Sequence, residues 1–236
     1  MLNDVDRDVV FETGVLIDQA GGAAKAMPGD LTQPDFPDKL VKATLAGFGS
    51  IDIIVNNAGY TWDNVIQKTT DDQFQAMLDI HMVAPFRVLR AASTWIRETA
   101  KKEIAEGRQV MRKVVNITSI SGMDGIAGQA GYGSGKAGII GLTKVMAKEW
   151  ATFGITVNAV CPGTVDTNLV NPDGFFEQVM DATESGGFEA WLQREIPLGR
   201  MQQPEEVASA ITFLLSDDAA YITGEAVNVS GGQMMA

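Results

Sequence analysis

Three side chains in this sequence have the types and spacing for proton transfer to a carbonyl: Ser119, Tyr132 and Lys136. Tyr132 and Lys136 stand four apart in Tyr132-Gly133-Ser134-Gly135-Lys136, so on a helix they share a face. Ser119 ends the run Val114-Val115-Asn116-Ile117-Thr118-Ser119, which reads as a strand. A chain that leaves a strand and returns as a helix brings all three to one point at the carboxyl edge of a sheet. Reducing a ketone needs a proton donor for the oxygen as hydride reaches the carbon. A free tyrosine, with a pKa of about 10, is a poor base for the reverse reaction. A nearby ammonium favours the phenolate and lowers that value. A serine hydroxyl holds the developing oxyanion.

Such a trio needs a scaffold, and the sequence supplies one. Ile51 to Val55, Lys113 to Ile117, Ile155 to Val160 and Ala226 to Val229 are short apolar runs suited to strands buried on both faces. Ala24 to Pro28 is a further strand candidate. Helical patterns alternate with them: Asp6 to Gln19, stopped by Gly21-Gly22; Asp38 to Gly47; Asp71 to Glu106, interrupted near Pro85; Gly131 to Phe153; and Pro204 to Leu215. Phe175 to Arg194 is helical, polar and broken by glycine, which suits a mobile lid. The alternation predicts an α/β fold of βα units around a parallel sheet, as a single domain over residues 1–236.

Composition excludes several function classes. A net charge of −12 and a pI of about 4.5 make nucleic acid and anionic membranes poor partners. The lone Cys161 forms no internal disulfide and suits a reducing cytoplasm; it reads as a small buried residue. The acidic start carries no secretory h-region, and no apolar run has the length of a membrane span. No metal is expected.

The trio has companions in register. Asn56-Asn57-Ala58-Gly59 ends one strand, Cys161-Pro162-Gly163-Thr164-Val165-Asp166-Thr167 follows another, and Asp30-Leu31-Thr32 follows the 24–28 candidate. Tyr221-Ile222-Thr223-Gly224 and Val229-Ser230-Gly231-Gly232 lie further on. In this order and context the motifs resemble the short-chain dehydrogenase/reductase family over nearly the whole chain, which implies a Rossmann-type doubly wound parallel sheet in three layers. The resemblance implies an oxidoreductase that moves hydride between NAD or NADP and a secondary alcohol or ketone, closest in pattern to 3-oxoacyl-thioester reductases and sugar or diol dehydrogenases. It implies Tyr132 as acid/base, Lys136 as the group that lowers its pKa and holds the nicotinamide ribose, and Ser119 as the carbonyl-orienting hydroxyl. Asn57, Ala58 and Gly59 would lie under the cofactor, with Asp30 and Leu31 at the adenine. Pro162, Gly163, Val165 and Thr167 would line the nicotinamide side. The family's long helix after the NNAG strand and its Tyr–Lys helix pack between subunits, which implies a homodimer or homotetramer.

Two departures from the family pattern stand out. Where the family carries an asparagine in the helix after NNAG, this chain has His81, its only histidine, expected as a helix-kink partner or water holder in a proton relay. The family's opening strand and its TGxxxGxG turn, whose backbone N–H groups hold the pyrophosphate, have no counterpart here. Gly131 to Lys136 mimics such a loop but has Lys136 at the last glycine position. The expectation is therefore a fold without its first strand and first helix, with Ile51–Val55 as an open edge. Losing two or three charged hydrogen bonds would weaken cofactor binding by roughly 3–9 kcal/mol. An alternative is thus a truncated, non-catalytic oligomer subunit, which bound cofactor would distinguish from an active enzyme.

Asp4 falls at the end of the family's second strand, where a carboxylate bonds the adenosine ribose and repels a 2′-phosphate, favouring NAD over NADP. Arg7 nearby argues the other way. The charged stretch from Lys101 to Arg112 reads as a solvated helix end and loop. Trp191, Phe175, Phe176 and Phe188 are candidates for the substrate cleft.

Overall fold

The apolar runs pair side by side as four strands: β1 (Ile53–Asn56), β2 (Arg112–Ile117), β3 (Ile155–Pro162) and β4 (Ala226–Val229). The structure, a computed structural model, describes residues 1–109, 111–167, 169 and 186–235. All pairings are parallel, in the order β1-β2-β3-β4. Every residue of β3 is buried, as a strand covered on both faces must be.

Helices supply the cover. Among the described residues seven α-helices lie between or beside the strands: α1 (Arg7–Gln19), α2 (Phe36–Phe48), α3 (Asp71–Leu78), α4 (Ala84–Ala105), α5 (Ala130–Trp150), α6 (Gly187–Glu195) and α7 (Pro204–Leu215). Val114 of β2 packs with Val41, Leu89, Ile96 and Trp150 from α2, α4 and α5. Its neighbour Val115 points the other way, into a cluster with Val160, Val207 and Leu214 under α7. Two cores on opposite faces of one parallel sheet make the expected three-layer, Rossmann-like α/β architecture.

The sequence-predicted strand at 24–28 is shorter than expected. Leu2 and Ala26 form one isolated parallel bridge. Asn3 Nδ2 donates to the carbonyls of Met27 and Gly29 at 2.9 and 3.0 Å, so a side chain takes an acceptor that a longer ladder would use. Within the four-stranded sheet β1 is an edge, and Ile53 and Val55 remain 50% and 41% exposed.

The interruption expected near Pro85 is a wide turn. Between α3 and α4 the backbone at Asp79–Val83 is π-helical, and Ala84 N–H reaches back to the Asp79 carbonyl. Pro85 lies in the first turn of α4, where its missing N–H costs least. Bulges of this kind re-aim the side chains on them. The side chain re-aimed here is His81.

The reading of Lys101–Arg112 as a solvated helix end and loop fits the exposed residues 101, 102 and 104–109 and requires correction at Arg112. Arg112 begins β2 and is buried. Its guanidinium donates to Glu103 at 2.5 and 3.1 Å and lies over the Trp95 ring, 5.3 Å from the centroid. The charge pattern misled because a paired, stacked arginine is tolerated where a lone one is not. Glu103→Ala leaves that guanidinium without its main partner. We expect a loss of about 3 kcal/mol in urea unfolding, with no change in the denaturant slope.

Candidate active site

Ser119, Tyr132 and Lys136 meet where the sequence placed them, beyond the carboxyl end of β2. The β2 chain turns sharply after Ile117 into a single turn at Ile120–Gly122, and Ser119 caps it: its Oγ accepts from Ser121 N–H at 3.1 Å. The helix α5 begins ten residues later and carries Tyr132 and Lys136 on its buried face. All three are buried. Ser119 is the hydroxyl that acts on the Tyr132 phenol, favouring its ionised form. The Lys136 ammonium is 5.5 Å from the tyrosine ring centroid and donates to the Ile117 carbonyl at 2.8 Å. Thr118 Oγ1 donates to the Lys136 carbonyl at 2.7 Å, which bolts the strand end to the helix start.

Burial is the largest influence on both the tyrosine and the lysine. Burial pushes the Tyr132 hydroxyl above its usual range; the Ser119 bond pulls it down, and the Asp63 carboxylate pushes it up again. Lys136 is itself drawn down to about 8 by burial, slightly offset by Cys161. A buried ammonium that spends its hydrogen bond on a backbone carbonyl does little for the phenolate.

His81 is wedged between two glycines. A Cβ on Gly59 would lie 2.5 Å from His81 Cε1, and one on Gly135 would lie 2.9 Å from His81 Cβ. The ring meets Tyr132 edge-on, with centroids 4.9 Å apart. Its Nε2 lies 2.7 Å from the Tyr60 carbonyl. A carbonyl only accepts, so Nε2 carries the proton. The other nitrogen, Nδ1, is buried without a hydrogen-bond partner among the described residues. Burial and then the Lys136 charge lower the ring to about 3, against a backbone bond that raises it. The folded state thus binds fewer protons than the unfolded chain between that value and about 6.5. This contribution to stability is intact above about pH 6.5 and lost on acidification, by up to roughly 1.4 kcal/mol per pH unit. We expect His81→Asn to flatten the acid limb of a stability-against-pH curve relative to the parent chain. Coincident curves would rule the histidine out as its source.

The proposed cofactor residues fall into three groups. Asp4, Leu31, Asn57 and Ala58 line one groove of about 490 Å³ beside β1, with Ile53 and Val55 on its wall. Asp30 stays outside it and holds its own turn, accepting from Thr32 N–H and Oγ1 at 2.8 and 2.7 Å and from Gln33 at 3.0 Å. Burial raises its carboxyl, but these bonds outweigh that and leave it low. Pro162 ends β3, and Gly163 continues against the chain's last segment, where a Cβ would meet Ser230 Cα at 3.0 Å. Gln233 Oε1 accepts from Thr164 N–H and hydroxyl at 2.9 and 3.0 Å. Val165 bridges to Gln202, and Thr167 is half-buried. Of the cleft aromatics, Phe188 and Trp191 stack on α6 with centroids 6.0 Å apart. Phe175 and Phe176, with most of the expected lid, lie outside the described residues.

Sequence reasoning missed the polar frame that joins these parts. Asn56 Nδ2 donates to Asn116 Oδ1 at 2.7 Å, and Asn116 Nδ2 donates to Thr143 Oγ1 at 2.9 Å, so β1, β2 and α5 are tied inside the core. Gln129 bridges Ser121 and Asp63, at 2.7 and 2.8 Å. Gly122 lies against α5, where a Cβ would approach the Lys136 carbonyl carbon to 2.6 Å. One signal was available: an asparagine inside an apolar strand run asks for a buried partner.

A three-layer parallel α/β fold with a buried serine, tyrosine and lysine at its carboxyl edge is the architecture of a nucleotide-linked oxidoreductase. Comparison with known proteins narrows the class. A family profile described as enoyl-(acyl carrier protein) reductase matches residues 1–234. The chain is 41% identical, over 91% of its length and 78% of the relative's, to a 3-oxoacyl-acyl-carrier-protein reductase of Synechocystis sp.. It is 37% identical to the Vibrio cholerae protein of that name, over 92% and 81% of the two chains. An acetoacetyl-CoA reductase of Shinella zoogloeoides is 37% identical over 80% and 70%. The chain belongs to the short-chain dehydrogenase/reductase family. It is an NAD(P)-dependent oxidoreductase that interconverts a secondary alcohol and a ketone. Among the described residues no helix is long and apolar enough to cross a membrane.

Proposed function

We propose that this chain reduces a 3-oxoacyl thioester to the 3-hydroxyacyl thioester. The observation that carries the reading is the joining of Ser119, Tyr132 and Lys136 at the end of β2, in a chain whose relatives carry 3-oxoacyl and acetoacetyl reductase names. The cofactor supplies the hydride. Ser119 holds the ketone oxygen, and Tyr132, protonated through the neutral range because its hydroxyl is held high, gives that oxygen its proton. Lys136 fixes the β2 end through Ile117 and offers its ammonium to the cofactor ribose. His81 acts as a fixed, uncharged donor that holds the Tyr60 carbonyl and the Gly59 turn, and takes no proton itself.

The residues present fit a nicotinamide cofactor. The groove that holds Asp4, Leu31, Asn57 and Ala58 combines apolar walls with one carboxylate, the chemistry an adenosine asks for. Arg7 packs its guanidinium over the Phe11 ring, 5.2 Å from the centroid, and is not among the residues that line the groove. Asp4 therefore favours NAD over NADP. Gly163, Pro162, Val165 and Thr167 form the nicotinamide side. We read residues 1–236 as one domain acting in a cytoplasmic homo-oligomer; the exposed Phe86 on α4 and Val145 on α5 are apolar surface for a second copy.

The test is oxidation of NADH and NADPH with acetoacetyl-CoA and with a 3-oxoacyl chain on acyl carrier protein. Thioester reduction, faster with NADH, is the expected result. Turnover on sugars or diols alone would move the substrate class to polyols, and no cofactor use at all would remove the enzymatic reading.

A further inference from the structure

The acid/base tyrosine proposed above is wired to a carboxylate that the reaction itself does not require. Asp63 lies in the loop after β1, and Gln129 stands at the mouth of α5, sixty-six positions along the chain. Gln129 Nε2 donates to Asp63 Oδ2 at 2.8 Å. Its other end, Oε1, accepts from Ser121 Oγ at 2.7 Å. Ser121 N–H donates to Ser119 Oγ at 3.1 Å, and Ser119 is the hydroxyl that pulls the Tyr132 phenol down. The chain of hydrogen bonds is continuous from a charged rim to the Ser119 hydroxyl. Using both ends of one glutamine amide fixes its orientation, because only the nitrogen donates and only the oxygen accepts.

We infer that Asp63 is a positioning residue for Tyr132: through Gln129 and Ser121 it locks the turn that presents Ser119, and it sets a carboxylate at the rim of the tyrosine's site. This rests on the reading of Tyr132 as the acid/base. The charged and titratable groups around Tyr132 can be named from each side. Lys136 on its own helix directs its ammonium to Ile117. His81, from the turn between α3 and α4, is uncharged at neutral pH. Cys161 of β3 faces Lys136 and, pushed up to about 11 by burial, stays a thiol. Asp63 is left as the anion that acts on the phenol. The direction suits reduction, which consumes the phenolic proton and is slowed when the phenolate forms early.

The experiment is an ultraviolet difference titration of the phenolate in the parent chain, in Asp63→Asn and in Asp63→Glu. The Tyr132→Phe form of each is subtracted, because Tyr60 and Tyr221 also titrate. At the alkaline pH where a phenol ionises, the Asp63 carboxylate is charged, so Asp63→Asn lowers the midpoint by about half a unit. Asp63→Glu keeps the charge and restores the parent midpoint. Coincident titrations for the parent and Asp63→Asn overturn the inference, as does an Asp63→Glu curve that follows Asp63→Asn. The titration needs neither cofactor nor turnover, so it separates two failures. Undiminished turnover of Tyr132→Phe removes the acid/base reading, whereas a dead Tyr132→Phe beside unshifted titrations removes only the Asp63 link.

Discussion

Tyr132→Phe lowers kcat by about a thousandfold, with little change in stability. The tyrosine ring packs with Met77 and Ile80 and meets His81 edge-on, and phenylalanine preserves each of those contacts. What disappears is one hydroxyl, the one on which Ser119 acts. Retained thermal unfolding together with lost ketone reduction in a stopped assay is the expected pair of results. A variant with near-parent turnover would place the proton donor elsewhere. The pH dependence carries its own sign. Burial and Asp63 hold the hydroxyl above the usual tyrosine value, so it stays a donor throughout the neutral range. Reduction should hold steady there and decline only in alkali, while alcohol oxidation should climb with pH. Lys136 adds a second alkaline limb. Its ammonium, drawn down to about 8, loses charge above that pH and with it the hold on any ribose.

Gly122→Ala has the second largest expected effect, and it acts on both stability and rate. The turn at Ile120–Gly122 is pressed against the first turns of α5, and the added methyl would meet the carbonyl carbon of Lys136 at 2.6 Å and the amide nitrogen of Ala137 at 2.8 Å. Backbone atoms in a helix cannot swing aside as a side chain does. The turn must therefore lift, carrying Ser119 with it and stretching the Thr118 bond to the Lys136 carbonyl. Overpacking of this kind costs about 3 kcal/mol, read by urea unfolding. The displaced serine should lower kcat by roughly tenfold or more, since misplacing a catalytic group by an ångström is costly. A contrasting case is Gly107, where an added Cβ meets nothing within 4 Å and only the positive φ of 73° resists substitution.

Much of this site was legible because helix and strand periods are short. Tyr132 and Lys136 share a face by the i, i+4 rule, and Ser119 follows a strand by pattern, so their meeting needs only a sharp return. The groups that hold the trio in place obey no such local rule. Gln129 and Asp63 are far apart in sequence, as are Asn56, Asn116 and Thr143, and their pairing is decided by tertiary packing. Arg112 shows the same limit from the other side. Charge in a sequence argues for solvent, and only the fold reveals that Glu103 and Trp95 wait for it. The Pro85 interruption was readable as a break, but its conversion into a π turn that aims His81 at Tyr60 depends on contacts from Gly59 and Gly135. The lowering of Tyr132 by Lys136 was expected from residue types alone. Burial of the pair, which is the largest influence on both groups, is invisible in the types.

The strand order carries a consequence for how the molecule is born. Each strand pairs with the one before it in sequence, so the sheet can be laid down in the direction of synthesis, β1 to β4, without waiting for a distant partner. The chemistry cannot be finished on that schedule. The turn at 162–164 is anchored by Gln233, and its glycine is shaped to fit Ser230. A nascent chain can therefore assemble the serine, tyrosine and lysine first, yet it lacks one wall of the cleft until residues 230–233 have emerged and docked on that turn.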